Sequence, residues 1–263
     1  MALTVRDIIG KIKEKKELSS LDEGFIESSI LPLIKKYPGL ENAGNKEIKI
    51  FIKEAREKLR LSAGMFQKNS SSKLRNKLLD EGKIEELLQT HSSTKERIAD
   101  YPYLKKKLSE LKIKSILDLG CGLNPLALAE PGLIYSACDI NKDEISMISR
   151  YFQEKGITGN AFIFDLNSGD FSALPKSDIC LLWKVLDFLG KKDIHKLKGL
   201  IDEIPCRYIW LSFSSKTLSG KPMRYAHRPW MKRLLSGLKY KYKVHQTSGE
   251  LFYLIDKRPI LFQ

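Results

Sequence analysis

The sequence predicts an α/β protein, a doubly wound and largely parallel sheet with helices on both faces, preceded by a smaller helical domain. Three observations carry that expectation. From residue 113 onward, short apolar runs alternate with amphipathic stretches in a strand-then-helix rhythm. Before that point, apolar residues recur at helical spacing. A Gly-rich turn, Gly120-Cys121-Gly122, separates the first apolar strand from a helix-compatible stretch.

In chain order, Val5, Ile8, Ile9 and Ile12 mark a first helix. Leu21, Phe25, Ile26, Ile30, Leu33 and Ile34 mark a second, with Ser20 or Asp22 as N-cap. Tyr37-Pro38-Gly39 stops it, and Ile48, Ile50, Phe51 and Ile52 begin a third that turns Lys/Arg-rich by Leu59. The outer faces carry many lysines, but Glu14, Glu17, Glu54 and Glu57 are interleaved, so a solvated face and a phosphate-binding face read alike. Phe66 to Lys77 is Ser-rich with four cations, Lys68, Lys73, Arg75 and Lys77, and no acid. It reads as a loop before a short helix, suited either to a linker or to phosphate contacts. Ser93 and Glu96 have capping-box spacing at the next helix. The expected division is a helical domain over 1–90 and an α/β domain over 91–263.

Strands are predicted at 114–119, 133–139, 161–165, 178–183, 207–212, 241–246 and 251–256, and helices at 125–130, 142–155, 191–203 and 227–236. Thr247-Ser248-Gly249-Glu250 joins the last two strands as a hairpin turn. In open α/β sheets the ligand lies beyond the carboxyl ends of the strands. That gathers Gly120, Asp139, Asp165, Trp183 and Lys184 around one crevice.

The chain of 263 residues, 42% apolar, is long enough for a substantial core. No apolar run reaches membrane-spanning length, and Met1 to Gly10 lacks the apolar centre of a signal peptide, so a cytoplasmic protein is expected. Cys121, Cys138, Cys180 and Cys206 form no C-x-x-C pair; they read as small apolar residues, and no metal is expected. The net charge is +14, which points to a nucleic-acid partner. Residues 1–110 hold 23 Lys/Arg and 17 Asp/Glu, and residues 111–263 hold 23 and 15. The excess is concentrated between Glu203 and Glu250, where ten basic residues and no acid occur.

Asp118-x-Gly120-x-Gly122 lacks the third glycine of the dinucleotide fingerprint, which argues against an NAD-linked dehydrogenase. Asp139 closes the second strand about twenty residues on. The pairing is the logic of a nucleoside site, in which the turn makes room and the acid accepts from the ribose diol. This motif and the closing hairpin resemble S-adenosylmethionine (SAM) dependent methyltransferases.

Three stretches sharpen the resemblance: His91-Ser-Ser-Thr-Lys-Glu-Arg97, Leu117-Asp-Leu-Gly-Cys-Gly-Leu-Asn-Pro-Leu-Ala-Leu128, and Ser212-Phe-Ser-Ser-Lys-Thr-Leu-Ser-Gly-Lys221. Together they resemble the aminoglycoside-resistance 16S rRNA methyltransferases, the Arm family, which methylate N7 of guanine 1405 in the decoding site of the 30S subunit. The resemblance spans roughly residues 85–256. Met223 and Trp230 keep the family spacing, while Arg224 and Tyr225 stand where the family has two acids. The resemblance implies a Rossmann-like SAM-dependent methyltransferase sheet with a helical accessory domain that binds rRNA. It implies SAM as cofactor, S-adenosylhomocysteine (SAH) as product, and 16S rRNA within the 30S subunit as partner of a monomer.

The cofactor residues expected on that basis are Arg97 for the SAM carboxylate with His91 and Thr94 beside it, Gly120 and Gly122 along the methionine chain, and Asp118 near the amine. Asp139 with Ile140 would take the ribose, Asp165 and Leu166 the adenine, and Trp183 would border the site. Acceptor-pocket candidates are Lys184, Phe213, Lys216, Ser219, Lys221 and Trp230. RNA-binding candidates are Lys68, Lys73, Arg75, Lys77, Arg224, Arg228, Lys232 and Arg233. No acid–base dyad is expected, because guanine N7 presents a lone pair and no proton. The alternatives are another rRNA or tRNA base methyltransferase, a small-molecule methyltransferase, and a non-catalytic ribosome-binding protein with a SAM pocket.

Overall fold

The computed structural model describes residues 3–62, 71–167, 170–186, 194–217, 221, 223, 227–238 and 240–258. Three helices open the chain: α1 (Val5–Lys13), α2 (Glu23–Ile34) and α3 (Asn45–Ser62). Thr4 caps α1 and exchanges hydrogen bonds with Asp7 in a capping box. Asp22 caps α2 by accepting from the Phe25 N–H. Ile8, Ile9, Ile12, Phe25, Ile26, Ile30, Phe51 and Leu59 close a small helical core.

Next come α4 (Ser72–Asp80), α5 (Ile84–Leu88), α6 (Ser92–Arg97) and α7 (Tyr101–Glu110). The sheet follows as β1 (Ser115–Leu119), α8 (Pro125–Leu128), β2 (Ile134–Asp139), α9 (Lys142–Lys155), β3 (Thr158–Ile163), β4 (Ser177–Trp183), α10 (Ile194–Glu203), β5 (Cys206–Ser214), α11 (Pro229–Leu238), β6 (Lys241–Gln246) and β7 (Glu250–Asp256). The strand order is β3-β2-β1-β4-β5-β7-β6. β3, β2, β1, β4 and β5 pair in parallel, and β7 runs antiparallel to both β5 and β6. The predicted doubly wound sheet with its closing hairpin is therefore present.

Side-chain alternation sorts the strands onto two cores. Ile116, Tyr135, Ala137, Ile179, Leu181 and Trp183 face one core. Leu117, Leu119, Cys138, Cys180, Leu182 and Leu211 face the other, with Leu197 and Leu200 of α10 and Met231 and Leu234 of α11. Leu78 and Leu79 of α4 and Leu87 and Leu88 of α5 pack into the first of these rather than into the N-terminal helical core. All four cysteines carry free thiols, three of them buried. Among the described residues no helix is long and apolar enough to cross a membrane.

Three local expectations are corrected. The third strand spans Thr158–Ile163, not 161–165, because its first half is polar and sits at the sheet edge, where apolar periodicity is silent. Gly159 there has φ +146° and passes so close to β2 that a Cβ would fall 1.9 Å from the Tyr135 carbonyl oxygen. Ser71 caps α4, so residues 72–77 are helical rather than loop. The capping box at Ser93 and Glu96 is absent: α6 begins two residues earlier with His91 at its N-cap position, and Glu96 turns to Lys184.

Candidate functional site

β1 and β4 lie side by side at the point where the strand order reverses, so the loops after them diverge and leave a crevice. Gly120 and Gly122 both adopt left-handed backbone after β1, at φ +70° and +50°. A Cβ on Gly120 would meet Val185 Cγ1 at 2.4 Å, and one on Gly122 would meet the His91 ring at 3.0 Å. The first neighbours of these glycines are thus Val185 and His91. The N–H groups of Gly120 and Cys121 both donate to the Cys138 carbonyl at 2.9 Å, tying the turn to the end of β2.

Asp139 stands at that end, half-buried. Its Oδ2 accepts from the Gly122 N–H at 3.0 Å, and its Oδ1 from the N–H groups of Ile140 at 2.7 Å and Asn141 at 3.2 Å. Burial, and after it the charge of Glu144, raise its carboxyl to about 6 against the pull of those three donors. Asp118 lies fully buried on β1. Its Oδ2 accepts from the Tyr135 hydroxyl at 2.7 Å, its Oδ1 has no hydrogen-bond partner within normal geometry among the described residues, and burial raises its carboxyl to about 7.

A buried charge cluster sits beside the turn. Arg97 Nε donates to Glu250 Oε1 at 2.7 Å, Nη2 to Glu250 Oε2 at 3.3 Å, and Nη1 to Asn124 Oδ1 at 2.6 Å. Both partners of the pair are only 1% exposed. The Ser212 hydroxyl donates to Glu250 at 2.6 Å, and Tyr101 donates to Asn124 at 2.8 Å. Lys184, a non-glycine residue at φ +62°, bridges Glu250 at 3.2 Å and Glu96 at 2.5 Å. Burial alone would raise the Glu250 carboxyl; Arg97 and then Lys184 reverse this and hold it below the usual range.

The predicted cofactor residues thus divide. Gly120, Gly122, Asp118, Asp139, Arg97 and His91 come together at the crevice. Arg97 arrives with its own carboxylate, so it enters the site already neutralised. Thr94 is corrected: its fully buried hydroxyl lies against the Leu88 carbonyl at 2.6 Å and ties α6 to α5. Trp183 is corrected as well. Its ring packs edge-on against Trp210 and Phe252 in the core, with the Arg97 guanidinium 5.0 Å above it. Ile140 turns its side chain to the N-terminal helical core. Asp165 lies just past β3, where Oδ1 accepts from the Asn167 N–H at 2.8 Å, and Leu166 packs on the second core.

On the acceptor side, Phe213 is fully buried and packs edge-on against Trp230, so neither presents a face to a base. Lys216 and Lys221 are exposed, and the Thr217 N–H donates to the Lys221 carbonyl at 2.8 Å. Arg228 is buried over Phe213 and donates to the Ser214 carbonyl at 3.2 Å, bracing the end of β5 rather than facing RNA. Arg75 is corrected too: it is buried and pairs with Glu144 at 2.6 Å. Lys73, Lys77, Lys232 and Arg233 are exposed. Lys68, Ser219 and Arg224 lie outside the described residues.

Sequence reasoning missed Glu250, Asn124, Tyr101 and Glu144. Glu250 had one signal: it is the acid that ends a stretch from 204 to 249 without any other.

The residues present fit SAM. The Oδ1 of Asp118, without a partner among the described residues, suits an ammonium donor. The Asp139 carboxylate suits a diol and retains lone pairs beyond its three N–H bonds.

The chain is 29% identical over 223 residues to the 16S rRNA (guanine(1405)-N(7))-methyltransferase of Serratia marcescens, covering 81% of this chain and 86% of that enzyme. It is 24% identical over 185 residues to the enzyme of the same name from Frankia casuarinae, covering 66% and 64%. The solved 16S rRNA methyltransferase RmtF, in complex with S-adenosyl-L-homocysteine, superposes with a TM-score of 0.82 at 22% identity, over 98% of this chain and 100% of that one. The 16S rRNA methylase ArmA superposes with a TM-score of 0.58 at 28% identity, over 72% and 99%. A family model described as ribosomal RNA methyltransferase (FmrO) matches residues 81–235, more than half of the chain, from the turn after α4 into α11. The chain belongs to the FmrO family of ribosomal RNA methyltransferases.

Proposed function

We propose that this chain transfers the methyl group of SAM to N7 of guanine 1405 of 16S rRNA, acting as a cytoplasmic monomer on the assembled 30S subunit. The observation that carries the reading is the glycine turn locked to Asp139 at the strand-order reversal of an rRNA methyltransferase sheet. The named relatives supply the nucleotide and the ring atom.

In this reading Asp139 accepts from the ribose diol, Asp118 Oδ1 faces the amine, and the Arg97–Lys184 cluster lies toward the carboxylate. Asp165 and Leu166 border the adenine. When bound, SAM supplies an electrophilic methyl on a sulfonium. The chain's own part is to hold the extruded guanine with N7 in line and to exclude water. N7 carries no proton, so no general base is required, and positive charge moves from cofactor to base. A preorganised polar pocket suffices for that.

Lys73, Lys216, Lys221, Lys232 and Arg233 provide exposed cations for rRNA phosphates. The proposed accessory domain is 1–90 and the catalytic domain 91–263. Within the former, α1–α3 face the RNA, and α4 and α5 brace the sheet's core.

The test is incubation with labelled SAM and purified 30S subunits, followed by borohydride and aniline cleavage, which cuts at N7-methylated guanine. A cut at 1405 is expected. Label without that cut would move the target to another base. No label, with SAM still bound, would favour a binding-only role.

A further inference from the structure

The loops that leave β2 and β3 carry Asp139 and Asp165, and both meet the N-terminal helices. The segment between α1 and α2 lies antiparallel to the first of these loops, with Leu21 opposite Asn141. The Asp22 N–H donates to the Ile140 carbonyl at 2.9 Å, and the Lys142 N–H donates to the Ser20 carbonyl at 2.8 Å. Around this backbone pairing, Ser20 donates to Asp143 at 2.5 Å and Lys142 pairs with Asp22 at 3.1 Å. Further along α2, the Ser28 hydroxyl lies 3.0 Å from Asp165 Oδ2 and also 3.0 Å from the Phe25 carbonyl.

One peptide unit makes the connection direct. The Ile140 carbonyl and the Asn141 N–H belong to the same rigid plane. The carbonyl takes the Asp22 N–H at 2.9 Å, while the N–H at the other end faces Asp139 Oδ1 at 3.2 Å. Displacing Asp22 therefore tilts a donor of the Asp139 carboxylate.

We propose that the 20–28 segment is part of the cofactor site, with Asp22 and Ser28 as positioning residues. Asp22 acts through the Ile140–Asn141 peptide on the ribose-side acid, and Ser28 acts on the adenine-side acid. The inference rests on the cofactor reading given above. It also makes RNA engagement by the N-terminal helices and cofactor affinity two sides of one coupling, equal in both directions.

Two substitutions at one position isolate the backbone bond. Asp22 has φ −62°, which proline adopts without strain. Asp22→Pro removes the N–H together with the helix cap and the Lys142 pair. Asp22→Ala removes the cap and the pair but keeps the N–H. SAH binding is measured by calorimetry without RNA for both variants, for Ser28→Ala and for Asp139→Ala, alongside thermal melting and KM for SAM against kcat on 30S subunits.

The expected result is SAH affinity lower in Asp22→Pro than in Asp22→Ala by roughly five- to tenfold, the effect of removing one hydrogen bond. Ser28→Ala should raise KM for SAM with kcat unchanged. Equal SAH affinity in the two Asp22 variants overturns the inference. If Asp22→Pro does not fold, Ser28→Ala decides, and unchanged SAH affinity and KM overturn it. If Asp139→Ala itself binds SAH normally, the cofactor reading falls and the inference with it.

Discussion

His91 is held neutral by its burial, which the charges around it offset only in part. Loss of hydration lowers its imidazole from 6.5 to about 4, and the charge of Glu144 recovers part of the loss. The unfolded chain therefore takes up a proton near 6.5 that the folded chain refuses until about 4. Stability from this group is fully present above 6.5 and is lost as pH falls through that window, at most about 1.4 kcal/mol per pH unit. Asp118, raised to about 7, acts with the opposite sign over much of the same range, so a single stability curve would hide both. The readout is therefore a difference: urea unfolding of wild type and His91→Gln at pH 7 and pH 5. The gap between them should shrink at pH 5, and parallel curves would contradict a buried neutral His91. Gly122→Ala is expected to cost about 1–3 kcal/mol from its left-handed backbone alone. Its Cβ would in addition press on the His91 ring at 3.0 Å. Gly122 and Asp139 were legible as a motif, but the proton state of His91 was not, because burial is a property of the folded chain.

At the scale of elements, α4 shows how a polar stretch misleads. Phe66 to Lys77 reads as a basic loop before a short helix because its apolar residues are few. Yet Leu78 and Leu79 bury one face of the helix, and that rotation carries Arg75 inward to Glu144 and to Thr90. Removing one partner of a buried pair leaves the other uncompensated. Arg75→Ala should therefore destabilise the chain by about 3–5 kcal/mol, while Arg75→Met combined with Glu144→Gln should recover much of the loss. Lys73→Ala, on the exposed face, should stay within about 0.5 kcal/mol of wild type. Denaturant midpoints measure all three. An Arg75→Ala variant as stable as Lys73→Ala would show that the pair contributes nothing. β3 makes the same point from the other side: its polar, edge-exposed start gave apolar periodicity nothing to register.

For the whole molecule, the relevant quantity is a net charge of +14 with a local concentration of cations. Structure removes Arg75 and Arg228 from the surface footprint and leaves Lys73, Lys216, Lys232 and Arg233 exposed. Changing these four to Glu should weaken 30S binding and flatten its dependence on salt. The log–log slope should fall by about 0.7–0.9 for each phosphate that is no longer neutralised. SAH affinity measured without RNA should not change. A matching fall in SAH affinity would contradict separate RNA and cofactor surfaces for these residues.

The doubly wound sheet, the glycine turn, its downstream acid and the helical N-terminal region were all readable along the chain. Each is written in periodicity or in spacings of about twenty residues or fewer, and local sterics and alternating burial enforce such patterns directly. Glu250 with Arg97, Ser28 with Asp165 and Arg75 with Glu144 were decided only in three dimensions. These partners stand 153, 137 and 69 residues apart. A pair separated so far leaves no pattern in either local stretch, and its strength comes from the water that the surrounding core excludes.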